Sequence, residues 1–278
     1  MFQSLVITLR EGIEAALIVG ILVAYLSRTG NNRHLAKIWL GTGLAVVVSC
    51  AAGAIIFVAF GELKGSVEQL FEGTAMVLAV GVLSYMVIWM KRQAVNIKGE
   101  LQARVDEALL SGSGFALASL AFLVVVREGI ETVLFLFAAT RTASPIETSV
   151  GGVIGLLAAV AIGYLVYASG TRLNLRSFFN VTGGLLILVA AGLLAHAVHE
   201  FEEAGLLPVI VEHVWDTGSV LSKKEGVGSF LRAVFGYNSN PSLSEVVAYV
   251  LYAVAAFWHF VSPAPLRRKS VMQSSVQN

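Results

Sequence analysis

The stretch Arg-Glu-Gly-Ile-Glu occurs twice in this chain, at residues 10–14 and again at residues 127–131, each time inside a long apolar run. On insertion scales an ionisable side chain at the centre of a membrane helix costs roughly 2.5–3.5 kcal/mol, so four glutamates and two arginines cost on the order of 15 kcal/mol before pairing. One alternative is that each arginine and a glutamate form an internal pair that only holds helices together. That alternative leaves the second glutamate of each copy without a role, so the motif indicates function.

The composition is that of a membrane protein. Of the 278 residues, 56% are hydrophobic and 13% are charged, which is about half the charged fraction of an average soluble domain. A net charge of +1 gives no reason to expect a nucleic-acid partner, and the chain lacks the Gly-x-x-x-x-Gly-Lys-Ser/Thr motif of P-loop ATPases. The single cysteine, Cys50, excludes an internal disulfide and a cysteine-rich metal site.

Seven stretches are apolar and long enough to span a bilayer of about 30 Å as helices. They cover residues 2–26, 36–60, 68–90, 114–139, 149–169, 178–199 and 244–262. Lysine and arginine concentrate in the segments that follow the first, third, fifth and seventh stretches, and such residues accumulate on the cytoplasmic side of membrane proteins. The sequence therefore predicts an all-α, polytopic membrane protein with seven transmembrane helices, its N-terminus outside and its C-terminus inside.

Spans one to three and spans four to six resemble each other beyond the charged motif. The matched residues are Gly41 with Gly151, Gly53 with Gly163, Phe71 with Phe179, and Thr74 with Thr182. Because each unit crosses the membrane an odd number of times, the second unit enters from the opposite side. This predicts two inverted three-helix repeats related by a pseudo-two-fold axis in the membrane plane, an arrangement that brings the two charged motifs together near the midplane. The seventh helix lies outside the repeat.

The chain divides into five predicted segments. Residues 1–90 form the first three-helix repeat and residues 114–199 the second. Between them, residues 91–113 have apolar positions at helical spacing with charges in between, which predicts an amphipathic linker helix on the cytoplasmic surface. Residues 200–243 form an acidic extracytoplasmic segment, and residues 244–278 contain the seventh helix and a basic cytoplasmic tail.

The spacing within the motif predicts a metal site. Residues three apart on a helix lie on neighbouring faces, so two facing helices can present all the motif glutamates to one cavity. These glutamates are Glu11, Glu14, Glu128 and Glu131. Each arginine lies four residues before a glutamate and can hold it by an ion pair, and the glycines allow close approach of neighbouring backbones. The supporting residues are Arg10, Arg127, Gly12 and Gly129.

The charge of this site favours a metal cation as substrate. Four carboxylates and two guanidiniums leave a formal charge of about −2, and an all-oxygen site suits hard cations such as ferric iron, manganese, magnesium or calcium. A divalent ion would neutralise the site, and a trivalent ion would overcompensate it slightly. The residues alone leave the metal and its oxidation state open.

Further acidic and imidazole side chains are candidate ligands on the path of a cation toward that site. They are Glu72, His196, His199, Glu200 and Glu203. Glu72 lies at the outer end of span three, where a lone glutamate is more often simply solvated. The other four are spaced at i, i+3, i+4 and i+7, which aligns them along one face at the outer end of span six. They form either a metal-collecting strip or an ordinary solvated helix end, because they meet no fixed ligand spacing.

The two motifs, the Phe-Glu-Gly start of span three at residues 71–73 and the seven-span layout resemble the oxidase-dependent iron permease family, which carries Arg-Glu-Gly-Leu-Glu motifs. The likeness covers nearly the whole chain, including residues 199–206. In that family the motif glutamates are taken to bind iron during translocation, which implies this role for the four motif glutamates here. Isoleucine in place of leucine conserves side-chain volume and puts nothing in doubt.

This resemblance implies an iron permease rather than an enzyme, with iron, as Fe²⁺ or Fe³⁺, as substrate and no cofactor. It implies import across the bacterial cytoplasmic (inner) membrane. Bacterial members are similar to parts of an uptake system in which a periplasmic iron-binding protein and a haem peroxidase deliver iron, so these are the expected partners besides the lipid bilayer. Two alternatives stay open: an exchanger of protons for another divalent cation, and a non-transporting membrane metal sensor.

Overall fold

In a computed structural model of the chain, the described residues form eight α-helices. The description covers residues 1–60, 65–93, 97–110, 114–142, 144–169, 175–217, 228, 231 and 236–261. The helices are α1 (Phe2–Arg28), α2 (Leu35–Phe60), α3 (Ser66–Gln93), α4 (Ile97–Leu110), α5 (Gly114–Thr142), α6 (Pro145–Ser169), α7 (Leu175–Glu203) and α8 (Leu243–Val261), with a 3₁₀ turn at Asn32–His34. Each predicted span coincides with one of these helices to within a few residues.

Five of the described helices are long and apolar enough to cross a membrane. They are α2, α3, α6, α7 and α8. The motif helices α1 and α5 are of similar length, but each carries an arginine and two glutamates in its middle. Length and hydropathy therefore identify a membrane protein, and the two helices with the charged motifs stand apart from the rest.

The helices pack in pairs across the two halves of the chain. Helix α1 packs against α6, α2 against α5, and α3 against α7, while α1 and α5 also contact each other and α8 packs against α7. Two apolar clusters fill the interior. One joins α1, α3, α5 and α7, and the other joins α1, α2, α4 and α5. On both α1 and α5 the charged motif lies between the residues of these two clusters, so it occupies the polar gap in an otherwise apolar core.

Glycine sets the closest approaches in the paired helices. A Cβ atom added to Gly41 of α2 would lie 2.1 Å from the backbone oxygen of Ala118 in α5. A Cβ atom added to Gly151 of α6 would lie 2.1 Å from the backbone oxygen of Met1, which precedes α1. Backbone atoms cannot move aside as a flexible side chain can, so only glycine fits at either position.

We expect Gly41→Ala and Gly151→Ala each to destabilise the protein by about 1–3 kcal/mol, since each forces two packed helices apart. Gly43→Ala is the matched control, because it is on the same helix as Gly41 and its Cβ would meet no atom within 4 Å. That variant should be neutral, or more stable by up to about 1 kcal/mol through helix propensity. Unfolding of the detergent-solubilised protein measures all three. Equal stability of Gly41→Ala and Gly43→Ala would contradict the close packing of α2 on α5.

The amphipathic linker forms α4, which begins at Ile97; Ala94, the first apolar position of the predicted pattern, lies outside the described residues. The apolar face of α4 is buried by protein, through Leu101, Val105 and Ala108 packed among residues of α1, α2 and α5. The hydroxyl of Tyr25 donates a hydrogen bond of 2.7 Å to Asp106. The linker helix is therefore docked on the end of the bundle where α1 ends.

The opposite end of the bundle is joined by polar contacts between helix ends. The N-terminal amine lies 3.7 Å from Glu147 at the start of α6, and Gln69 at the start of α3 donates a hydrogen bond of 2.9 Å to Glu203 at the end of α7. At the same end, the Ser-x-x-Glu sequence at 242–245, which predicts a capping box, opens α8. Both reciprocal hydrogen bonds are present, at 3.2 and 3.3 Å.

Candidate functional site

The first motif is buried and internally paired. Arg10 is 1% exposed, as is Glu11. Nη1 of Arg10 donates a hydrogen bond of 2.7 Å to Oε1 of Glu11, and Nη2 of Arg10 lies 2.9 Å from Oε1 of Glu14. Nη1 also lies 3.5 Å from the sulfur of Met86 in α3. The arginine thus holds both glutamates of its own helix, not only the one four residues away that the spacing predicts.

The second motif has the same sequence but a different arrangement. Arg127 is 43% exposed and donates a hydrogen bond of 2.9 Å from Nε to Oε1 of Glu131. Its guanidinium lies over the ring of Trp89, 4.9 Å from the ring centroid, a geometry that adds a cation–π attraction. Glu128 is 6% exposed, and the motif ion pairs involve the other three glutamates. Only one motif arginine is therefore fully enclosed.

Three of the motif glutamates converge. Ligand oxygens of Glu11, Glu128 and Glu131 all lie within 4.8 Å of one another. In each of these three side chains, Oε2 is buried and has no hydrogen-bond partner among the described residues. Buried carboxylate oxygens without partners are expensive unless a cation or proton satisfies them. The predicted site therefore has three carboxylates in ligand range, and the fourth, Glu14, is held beside them by Arg10.

The motif glycines contact α6 and α2. A Cβ added to Gly12 would lie 2.6 Å from the Cβ of Ala159 in α6, and one added to Gly129 would lie 2.0 Å from Oγ of Ser49 in α2. The close approach expected of these glycines thus occurs between the halves of the chain. It holds each motif helix against the second helix of the other half.

The other predicted ligands, outside the motifs, fall into two groups. Glu72 is buried and forms an ion pair with Arg141 at the end of α5, so it is not simply solvated. His196 donates a hydrogen bond of 3.2 Å from Nε2 to the backbone oxygen of Arg141, and the same nitrogen lies 3.7 Å from Oε1 of Glu200. These residues join the start of α3 to the ends of α5 and α7, at the end of the bundle where α1 begins.

The second group contains two residues that sequence reasoning missed as ligands. Ligand atoms of His199, Glu202 and Glu245 lie within 4.8 Å of one another. The predicted strip contains His199 and Glu203, whose side chains are 3.1 Å apart, but not Glu202 or Glu245. Glu202 lies three residues after His199, which is a usable helical signal. Glu245 comes from α8, and no local pattern connects it to α7.

A bundle of long apolar helices around several carboxylates, each with a buried oxygen that has no hydrogen-bond partner among the described residues, is typical of a membrane protein that handles cations. The sequence matches the profile of the Iron permease FTR1 family over residues 1–264, and the chain belongs to this family. The chain is 41% identical over 265 residues to the ferrous iron permease EfeU of Escherichia coli O6:H1, covering 95% of this chain and 96% of that one. It is 39% identical to the ferrous iron permease EfeU of Yersinia pestis, covering 95% and 94%. No solved structure matches the chain.

The resemblance expected from the two motifs is thereby confirmed. The family consists of iron permeases, so the protein is a transporter of iron in a membrane and not an enzyme. Iron is accordingly the substrate.

Proposed function

We propose that this protein is a permease for Fe²⁺ that binds the ion at the motif glutamates Glu11, Glu14, Glu128 and Glu131. The observation that carries this proposal is the convergence of three carboxylates from both motifs, each with a buried oxygen that has no hydrogen-bond partner among the described residues. A cation in this gap would satisfy those oxygens together. Arg10 and Arg127 hold the neighbouring glutamates in place, so a binding ion meets carboxylates that are already oriented.

The choice of Fe²⁺ rests on charge and on the relatives. Four glutamates and two arginines leave a formal charge of about −2, which a divalent ion neutralises. The relatives from Escherichia coli and Yersinia pestis are named ferrous iron permeases. A trivalent ion would leave the buried site with an excess positive charge, which is unfavourable in surroundings of low dielectric constant.

The packing supports two inverted three-helix repeats, α1 to α3 and α5 to α7. A pseudo-two-fold axis that exchanges α1 with α5 and α2 with α6 turns the α1–α6 pair into the α5–α2 pair, and both pairs are present. The same exchange relates individual contacts. Gly12 meets Ala159 as Gly129 meets Ser49, and Gly163 meets Ala16 as Gly53 meets Val133. An alternating-access cycle follows, in which the repeats rock around the central site.

We place the N-terminus and the α7–α8 connection outside and α4 in the cytoplasm, in a bacterial inner membrane with all seven long helices spanning. The basic segments between helices support this orientation. Iron then arrives at the end where α1, α3, α6 and α8 begin. It passes the motif glutamates and leaves toward α4. A negative-inside potential favours this direction by about 2.3 kcal/mol per charge per 100 mV.

The test is uptake of radioactive iron into proteoliposomes, with Fe²⁺ offered under anaerobic conditions and Fe³⁺ offered as its citrate complex. Wild-type protein should take up Fe²⁺ faster than protein-free vesicles. The Glu14→Gln/Glu131→Gln double variant, which removes one carboxylate from each motif, should not. Insertion of the double variant is checked by its recovery in the vesicles.

The outcomes separate the alternatives. Uptake of Fe³⁺ alone would show that the proposed ion is wrong. Equal competition by Mn²⁺, with protons moving in the opposite direction, would favour the divalent cation and proton exchanger. Iron bound by the wild type without any flux would favour the metal sensor.

A further inference from the structure

A cavity of about 520 Å³ lies at the outer end of the bundle, away from the motif glutamates. Its walls come from the last turns of α7, the segment after α7, and the residues that lead into α8. The segment around residues 211–217 is tied to residues 239–243 by backbone hydrogen bonds of 3.0–3.1 Å, for example from the nitrogen of Val214 to the oxygen of Pro241. These hydrogen bonds join the two segments that form one wall of the cavity.

Three potential ligands meet in this cavity. His199 and Glu202 lie on α7 and Glu245 on α8, and one ligand atom of each lies within 4.8 Å of the other two. Two ligand atoms bonded at about 2.1 Å to a tetrahedral metal ion are about 3.4 Å apart, and Nδ1 of His199 already lies 3.0 Å from Oε1 of Glu245. Glu202 is 8% exposed, and its buried Oε1 has no hydrogen-bond partner among the described residues.

The remaining contacts orient the ligands. Nδ1 of His199 lies 3.0 Å from Oε1 of Glu245, and Nε2 lies 3.1 Å from Oε1 of Glu203. Glu245 is fixed by a hydrogen bond of 2.8 Å from Asn238. With Nδ1 on the metal, Nε2–H can donate to Glu203, the carboxylate–histidine–metal arrangement that fixes the tautomer of a ligating imidazole.

We propose that His199, Glu202 and Glu245 form a second metal site, which binds a first-row divalent transition metal ion at the outer mouth of the protein. One imidazole nitrogen among carboxylate oxygens suits Fe²⁺, Mn²⁺ or Zn²⁺ better than Mg²⁺ or Ca²⁺, which prefer oxygen alone. The site differs in this respect from the all-oxygen motif site. That transported iron binds first at this site rests on the proposed function. That the site binds a metal ion does not.

The test uses Mn²⁺ as a paramagnetic probe on the full-length, detergent-solubilised protein. Electron spin echo spectroscopy detects ¹⁴N coupled to bound Mn²⁺, and only the outer site offers a nitrogen ligand. We expect a ¹⁴N signal in the wild type that His199→Gln abolishes and Glu11→Gln/Glu128→Gln retains. Glu202→Gln should weaken the nitrogen-coupled binding at least about tenfold, the loss typical of even an outer partner of a metal ligand.

Two controls come from the same cavity. His213→Gln and Glu212→Gln remove a histidine and a glutamate that line it, whose side chains are 54% and 81% exposed. Both should keep the signal and the affinity. If Glu202→Gln does not give monodisperse protein, His199→Gln carries the test.

Absence of ¹⁴N coupling at saturating Mn²⁺ in the wild type, or its persistence in His199→Gln, would overturn the site. The motif variant separates this outcome from failure of the proposed function. Nitrogen-coupled Mn²⁺ in a wild type that shows no iron flux would leave the outer site standing and the permease proposal refuted. Motif-dependent iron flux without the nitrogen signal would support the permease proposal and refute the outer site.

Discussion

Glu128→Gln should lower the initial rate of Fe²⁺ uptake by at least about 100-fold, beyond the range seen when only an outer partner of a metal ligand is lost. Glu128 is 6% exposed, and its buried Oε2 has no partner among the described residues. The substitution keeps the shape of the side chain but removes its charge. The motif ion pairs involve the other three glutamates, so no arginine loses its partner. The rate is measured in proteoliposomes with radioactive iron.

The stability of this variant distinguishes a lost ligand from a damaged fold. Removing a buried charge that has no ion-pair partner in the described part of the chain relieves a desolvation cost, so we expect the melting temperature of Glu128→Gln to stay within about 3 °C of the wild type or to rise. Glu107→Gln is the matched control, because it removes an exposed carboxylate of α4. It should transport normally. Wild-type uptake in Glu128→Gln would remove this glutamate from the ion path.

The helices could be predicted from sequence because their signals are local. Each span is a long, mostly apolar run, and the capping box at 242–245 is contained in four residues. The docking of α4 was harder to predict from the sequence. Its amphipathic spacing predicts a surface helix, but whether lipid or protein covers its apolar face depends on α1, α2 and α5, which are distant in sequence.

The candidate site was predictable in composition but not in detail. The duplicated motif identifies the glutamates that converge, yet identical sequences cannot predict different surroundings. Arg10 lies beside Met86 in the core, whereas Arg127 is half-exposed beside Trp89, and both neighbours come from α3. The cluster of His199, Glu202 and Glu245 could not be predicted from local sequence either. Glu245 lies 46 residues from His199, and only the packing of α8 on α7 joins them.

The unequal arginines lead to a second prediction, on stability. Arg10→Gln should destabilise the protein by about 3–5 kcal/mol, the usual cost of removing one partner from a buried ion pair. Arg10 is 1% exposed and contacts both Glu11 and Glu14, so its loss leaves two buried carboxylates without a cation in contact. Unfolding of the purified protein in mixed detergent measures the change in free energy.

Arg127→Gln is the matched control, since it makes the same substitution at the equivalent position of the second motif. Arg127 is 43% exposed and contacts Glu131 and the ring of Trp89. An exposed ion pair contributes about 1 kcal/mol or less, and an exposed cation–π contact about 0.5–1 kcal/mol. We therefore expect Arg127→Gln to cost about 2 kcal/mol or less, a smaller loss than that for Arg10→Gln. Equal losses would mean that the two motifs have the same surroundings in the membrane, and the asymmetry of the site would then have to be abandoned.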